Sequence, residues 1–297
     1  MTIHNQISSN KVRTYFIMFF FIAFISFFFY LIGKYFGDSQ FYFVFGILFS
    51  IMMSFGSYFY SDKIVLAMSG AKPADKKDFF DLYTVTENMA IADGLPMPKV
   101  YVIEDPAMNA FATGRDPQHA VVCATTGILE KLNRAELEGV IAHELSHVKN
   151  FDIRLMGIVT VLVGTVAFVA DWITRSLLWG GDDDNTGGKL GMIFFILFLF
   201  ITPLIATLIQ LAVSRRREYL ADASGALLNR NPDALASALE KISGDTLILK
   251  TASNATAHLF IENPFKKDKG SKAKSFLAGL FSTHPPVEER IKLLREM

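Results

Sequence analysis

Two histidines four residues apart, with a glutamate directly after the first, stand out in Val140-Ile141-Ala142-His143-Glu144-Leu145-Ser146-His147-Val148. On a helix this spacing lifts His147 almost over His143, so both imidazoles can reach one tetrahedral ion at about 2.0–2.1 Å. Glu144 then lies about 100° around the helix, beside the ion and outside its ligands, where a general base is wanted. Amphipathic surface helices match such a pattern by chance. Here, however, it follows a strand candidate, sits on a capped helix and precedes an apolar stretch, as a real metal site requires.

A catalytic zinc takes three protein ligands and keeps one position for water, so a third group must come from elsewhere in the chain. The best candidate is Glu218 in Arg215-Arg216-Arg217-Glu218-Tyr219-Leu220-Ala221-Asp222; Asp222, one turn on, could accept a hydrogen bond from a ligand histidine. Acidic residues four apart on a helix are more often a solvated face, and spacing alone leaves both readings open. Topology favours the ligand, because two apolar stretches separate His147 from Glu218 and return the chain to the side it left. A purely structural zinc would close with a fourth ligand and have no use for Glu144, which argues against a membrane scaffold or chaperone-like protein.

The elements that must position these residues are mostly apolar helices. Of 297 residues 51% are hydrophobic and 28 are Phe, far above soluble usage. Thr14 to Gly33 and Phe41 to Ser61 run uncharged for twenty and twenty-one residues, each long enough to cross a bilayer as a helix. Leu190 to Val213 is a further uncharged run, with Pro203 as an expected kink, and 156–179 spans if Asp171 and Arg175 pair near its far end. Trp172 and Trp179 stand where an aromatic belt would lie. Lys11, Arg13, the Lys-rich segment after Asp62 and Arg215 to Arg217 share one side of this four-span plan, which the positive-inside rule makes cytoplasmic. The expected domains are a membrane anchor at 1–61, catalytic parts at 62–155 and 214–297, and a transmembrane hairpin at 156–213.

Outside the spans, Ala74 to Ala92 reads as a helix and Val100 to Ile103 as a strand. Asn109 to Thr113 and Ala120 to Thr125 read as a hairpin, and Asn133 with Glu136 as a capping box that opens the histidine helix. Helices are also expected from Ser214 to Leu228, from Pro232 and from near Pro285. The single cysteine, Cys123, excludes an internal disulfide and a multi-thiolate metal site, and reads as a small buried hydrophobe. His4, His119 and His258 have no partner at ligand spacing and read as surface or packing residues; 266–274 reads as a solvated Lys-rich loop. Equal numbers of acidic and basic residues give no sign of a nucleic-acid partner, and a transporter would want more ionisable groups within its spans.

The two-histidine helix, the later Glu-x-x-x-Asp and the four-span plan together resemble the HtpX membrane metalloproteases, gluzincins related to the CAAX prenyl proteases. The resemblance implies a mainly α membrane protein with four transmembrane helices and a cytoplasmic zincin-like α+β catalytic domain with a small sheet. It implies one zinc per subunit on His143, His147 and Glu218, Glu144 as catalytic base and Asp222 beside the ligands. Asn109-Ala110-Phe111-Ala112 resembles the edge strand along which gluzincin substrates lie, and Thr283-His284-Pro285-Pro286 with Arg290 resembles a further active-site segment, His284 donating to the oxyanion and Arg290 positioning it. The implied enzyme is an endopeptidase of the cell membrane, its active site and both termini cytoplasmic, cleaving membrane or unfolded proteins in quality control. A dedicated processing peptidase is the alternative within the class, and a homo-oligomer is compatible with the pattern.

Overall fold

In the computed structural model, described for residues 3–179, 208, 214–253, 255–265 and 285–297, two long helices lead the chain. These are α1 (Ile3–Phe36) and α2 (Ser39–Met68), joined by a tight turn in which Asp38 caps Phe41. They pack along their length with α6 (Asp152–Trp179), and Phe21, Phe28, Leu155, Val159 and Leu162 fill the seam; Leu208 joins this cluster. Their outward faces carry Phe16, Phe19, Leu48 and Phe55, all more than half exposed, apolar side chains that suit lipid and not water.

Among the described residues, two helices are long and apolar enough to cross a membrane, over Ile7–Lys34 and Ser39–Met68. A third counts only if α6 and the helix before it are one broken span, since an 82° bend separates them. The expected span at 156–179 lies within α6, where Asp171 accepts from Arg175 at 2.8 Å as its spacing suggested. The expected span from Leu190 to Val213 lies outside the described residues except Leu208, as do the side chains of Trp172, Trp179 and His4 and the stretch 266–284.

The remaining chain forms a mixed sheet covered by helices. β1 (Lys72–Pro73), β2 (Lys99–Ile103), β4 (Ala120–Thr125) and β3 (Ala110–Gly114) lie in the order β1-β2-β4-β3, with β2 and β4 parallel and the other pairs antiparallel. The expected hairpin is β3–β4, and Gly114 is required at its turn: φ is +139°, and a Cβ there would meet the His119 carbonyl oxygen at 2.3 Å. α3 (Phe80–Asp93) starts later than its apolar periodicity suggests, because the polar run Asp75 to Asp78 forms turns before it. Gly94 ends it in the left-handed conformation. A short helix, α4 (Thr126–Lys131), links β4 to α5 (Arg134–Lys149).

α5 begins with the expected capping box: Glu136 N–H donates to Asn133 Oδ1 at 2.9 Å, and Asn133 N–H to Glu136 Oε2 at 2.8 Å. Leu137, Val140, Ile141, Leu145 and Val148 on α5 are buried against α3, the sheet and α8 (Pro232–Gly244). Each such side chain stabilises by about 1.5–3 kcal/mol relative to exposure. α7 (Arg215–Asn229) crosses α5 so closely that a Cβ on Gly225 would lie 2.9 Å from the His143 nitrogen. α9 (Val287–Arg295) closes the far side against α8 and α7.

Candidate active site

The α5–α7 crossing brings together the residues that sequence alone left far apart. His143, Glu144, His147 and Glu218 are each at most 5% exposed. The two rings stand edge to face with centroids 4.9 Å apart, and their Nε2 atoms are 3.3 Å apart. Glu218 Oε1 lies 3.6 Å from His147 Nε2, and Glu218 Oε2 lies 3.9 Å from His143 Nε2. Ligands on a tetrahedral zinc at about 2.0–2.1 Å stand roughly 3.3 Å from one another, so the trio is already close to coordinating spacing. It is the one group of three metal-ligating side chains of this kind among the described residues.

What lies behind each imidazole strengthens that fit. His147 Nδ1 is 3.0 Å from Asp152 Oδ2. His143 Nδ1 is 3.0 Å from Asp222 Oδ1, at an angle off the ideal hydrogen-bond line. Carboxylates on both Nδ1 atoms favour the tautomer with the proton there, which leaves two Nε2 lone pairs facing one another. Such lone pairs repel unless a proton or a metal ion stands between them. Charge points the same way: four buried carboxylates, Glu144, Asp152, Glu218 and Asp222, face two buried guanidinium groups, Arg217 and Arg290. With neutral imidazoles and ionised carboxylates, two negative charges remain to be balanced, which suits a divalent ion.

Electrostatic shifts follow from the same packing. Burial raises the Glu144 pKa above the ordinary carboxylate range; the nearby imidazoles and the Ala112 N–H, which donates toward its carboxylate, only partly offset this. Burial lowers the basicity of His147, but Asp152 and the Glu218 and Glu144 charges outweigh it and push its pKa up to about 9 without metal. Burial would raise Asp222, yet Arg290 holds it down at about 2. Arg290 grips that carboxylate with two bonds, Nε to Oδ2 at 2.8 Å and Nη2 to Oδ1 at 2.7 Å, and donates from Nη1 to the Ile261 carbonyl at 3.1 Å.

Asn109, Ala110, Phe111 and Ala112 lie on or beside β3, the outer strand next to Glu144, but the edge is not bare. Ile261 N–H donates to Ala110 O at 3.0 Å, and Asn109 Nδ2 donates to Glu262 O at 3.0 Å, so residues 261–262 lie against the outer edge of β3. Phe260 packs edge-on against Phe111. The fork of Arg290 is committed to Asp222 and Ile261, whereas His284 lies outside the described residues.

Sequence reasoning missed Asp152, Asn10 and Arg217. Asp152 had a signal in its position five residues after His147, just past the bend where Phe151 takes a φ of +60°. Asn10, at the edge of an apolar run, had none. The other histidines are accounted for: His119 pairs with Asp116 at the surface, and His258 is buried beside Thr160 and Met156. Cys123 is fully buried in β4, with its thiol pKa pushed up by burial.

The model of peptidase family M48 matches residues 76–297. This chain belongs to that family. It is 46% identical over 294 residues to a protease HtpX homolog of Tropheryma whipplei (strain Twist), covering 99% of this chain and 98% of that one. It is 47% identical over 261 residues to one from Caldanaerobacter subterraneus, covering 86% and 84% of the two chains. The solved structure of S. mikatae Ste24p shares the fold at a TM-score of 0.50 and 20% identity, over 98% of this chain and 66% of that one. The M48 chain is thus an HtpX-type, membrane-bound metalloprotease, and its motif helix, strands β2 to β4 and α7 all fall within the matched residues.

Proposed function

We propose that this chain is a zinc endopeptidase that cleaves membrane or unfolded proteins at the cytoplasmic face of the cell membrane, in membrane-protein quality control. The observation that carries the zinc reading is the pair of Nε2 atoms facing each other at 3.3 Å, each ring backed by a carboxylate, with Glu218 beside them. His143, His147 and Glu218 hold one ion per subunit, which when bound polarises a carbonyl and lowers the pKa of water. Glu144, made more basic by its burial, takes the proton of the attacking water and returns it to the leaving amine.

A substrate peptide adds to the outer edge of β3 at Asn109 to Ala112, taking the position held here by Ile261 and Glu262. Residues 260–262 therefore have to yield for cleavage. His284 supplies a donor for the oxyanion. Four spans, at about 14–33, 41–61, 156–179 and 190–213, divide the chain into anchor, transmembrane hairpin and two cytoplasmic catalytic parts, with both termini cytoplasmic. The run of cations at Arg215 to Arg217, beside Glu218, supports that side.

The test is Glu144→Gln in the full-length, zinc-loaded protein, assayed on an unfolded polypeptide. Activity should fall by about 10²–10⁴-fold or more while zinc content stays at one per chain. Normal turnover in a zinc-loaded Glu144→Gln protein would remove Glu144 from the mechanism.

A further inference from the structure

We infer that the first membrane helix takes part in holding the metal: Asn10 on α1 is a positioning residue for His147, acting through Asp152. This rests on the reading of His143, His147 and Glu218 as ligands. Asn10 is 3% exposed and stands four residues before Thr14, where the uncharged run of α1 begins. Its amide makes three bonds. Nδ2 donates to Asp152 Oδ1 at 2.7 Å and to the Asn150 carbonyl at 2.9 Å, and Oδ1 accepts from Arg217 Nη1 at 3.2 Å. Donors and acceptors match in one orientation of the amide only, so the side chain is fixed and not interchangeable with its flipped form.

The three partners come from the three segments that make the site. Asn150 is the C-cap of α5, the helix of both histidines; Asp152 opens α6; Arg217 precedes Glu218 on α7. Between Asn150 and Asp152 the chain passes through Phe151 at φ +60°, uncommon for a residue other than glycine, and this turn brings Asp152 back to His147 Nδ1. Asn10 pins both sides of that turn. It also satisfies the Asp152 oxygen that does not face His147, which a buried carboxylate requires. Arg217 Nη1 is 3.6 Å from the same oxygen, so α1 and α7 converge on one carboxylate. The orientation of a zinc ligand thus depends on the seating of a membrane helix more than 130 residues earlier in sequence.

The experiment compares the full-length wild type with Asn10→Ala, Thr14→Val, Asp152→Asn and the Asn10→Ala/Asp152→Asn double variant. Zinc affinity is read by competition with a chromogenic chelator, and ligand geometry by the visible spectrum of the Co2+-loaded protein. Thr14 is the packing control, because it is as buried on α1 and, among the described residues, its hydroxyl bonds only the Asn10 carbonyl of its own helix at 2.8 Å. Asn10→Ala should weaken zinc by about 3–10-fold, less than the 10–100-fold typical of losing a direct carboxylate partner, and should change the Co2+ spectrum. Thr14→Val should change neither, and the double variant should bind zinc no more weakly than Asp152→Asn. Unchanged affinity and spectrum in folded Asn10→Ala, equal losses in Thr14→Val, or additive losses in the double variant would each overturn the inference. A wild-type protein that binds no zinc would instead overturn the reading of the ligands on which it rests.

Discussion

The two histidines of the motif are chemically alike and differently supported. Each has its Nδ1 3.0 Å from a buried carboxylate, Asp222 for His143 and Asp152 for His147. Asp222 is gripped at both oxygens by Arg290, a formal charge on the terminal helix α9. Asp152 is held by a neutral amide, Asn10 on α1, with Arg217 further off at 3.6 Å. The guanidinium holds Asp222 at about 2, whereas Asp152 helps push His147 up to about 9. One side of the site is therefore anchored by an ion pair in the catalytic part, and the other by a hydrogen bond to the helix that enters the membrane.

The largest effect that separates the two sides should be on stability. Arg290→Ala leaves Asp222 buried without its counter-charge, so unfolding in denaturant should cost about 3–5 kcal/mol less than for wild type. Asn10→Ala removes the hydrogen bonds of an uncharged side chain and should cost about 1–3 kcal/mol. Equal losses would erase the distinction between charged and neutral support.

Metal binding should show the likeness of the two sides. Asp222→Asn and Asp152→Asn should each weaken zinc by about 10–100-fold in a chelator competition. A variant that kept wild-type affinity would mark its histidine as one that needs no carboxylate behind it.

The two sides should also fade at opposite ends of the pH scale when metal is removed. Asp222 is depressed on folding, so its stabilisation is present above the ordinary value of 3.8 and lost as pH falls through about 2. His147 is raised, so its stabilisation is full below 6.5 and lost as pH rises through about 9. Melting temperatures of the metal-free protein across this range should show the alkaline loss shrink in Asp152→Asn, and the acid loss shrink in Asp222→Asn.

Location should matter least to the metal itself but decides where both sides stand. In a Cys123→Ser background, Asp183→Cys should react with an impermeant thiol reagent added outside intact cells, and Lys267→Cys should not. The opposite pattern would place both supports, and the catalysis between them, on the outer face.

His143, Glu144 and His147 were legible in the sequence because helical geometry converts a spacing of four into a shared direction, and no tertiary contact is needed to do so. Glu218 and Asp222 were legible more weakly, through their own spacing and the apolar runs that return the chain to one side. The hairpin and the capping box were legible for the same local reasons, since Gly114 and Asn133 act on neighbouring residues. The apolar periodicity from Ala74 places the start of α3 too early, because it continues into a polar turn that the helix does not include.

Asn10 carries no pattern of its own in the chain, and neither the position of Asp152 after His147 nor the cationic run of Arg217 says what these side chains touch. Their roles arise because α1, α6 and α7 meet at one buried carboxylate, and burial makes each polar group seek a partner whatever its distance in sequence. The covered edge of β3 belongs with them: its strand pattern was readable, but only packing brought Ile261 onto Ala110. Local geometry, written in nearby residues, determined which side chains could bind a metal and activate water; long-range burial decided what holds those side chains still.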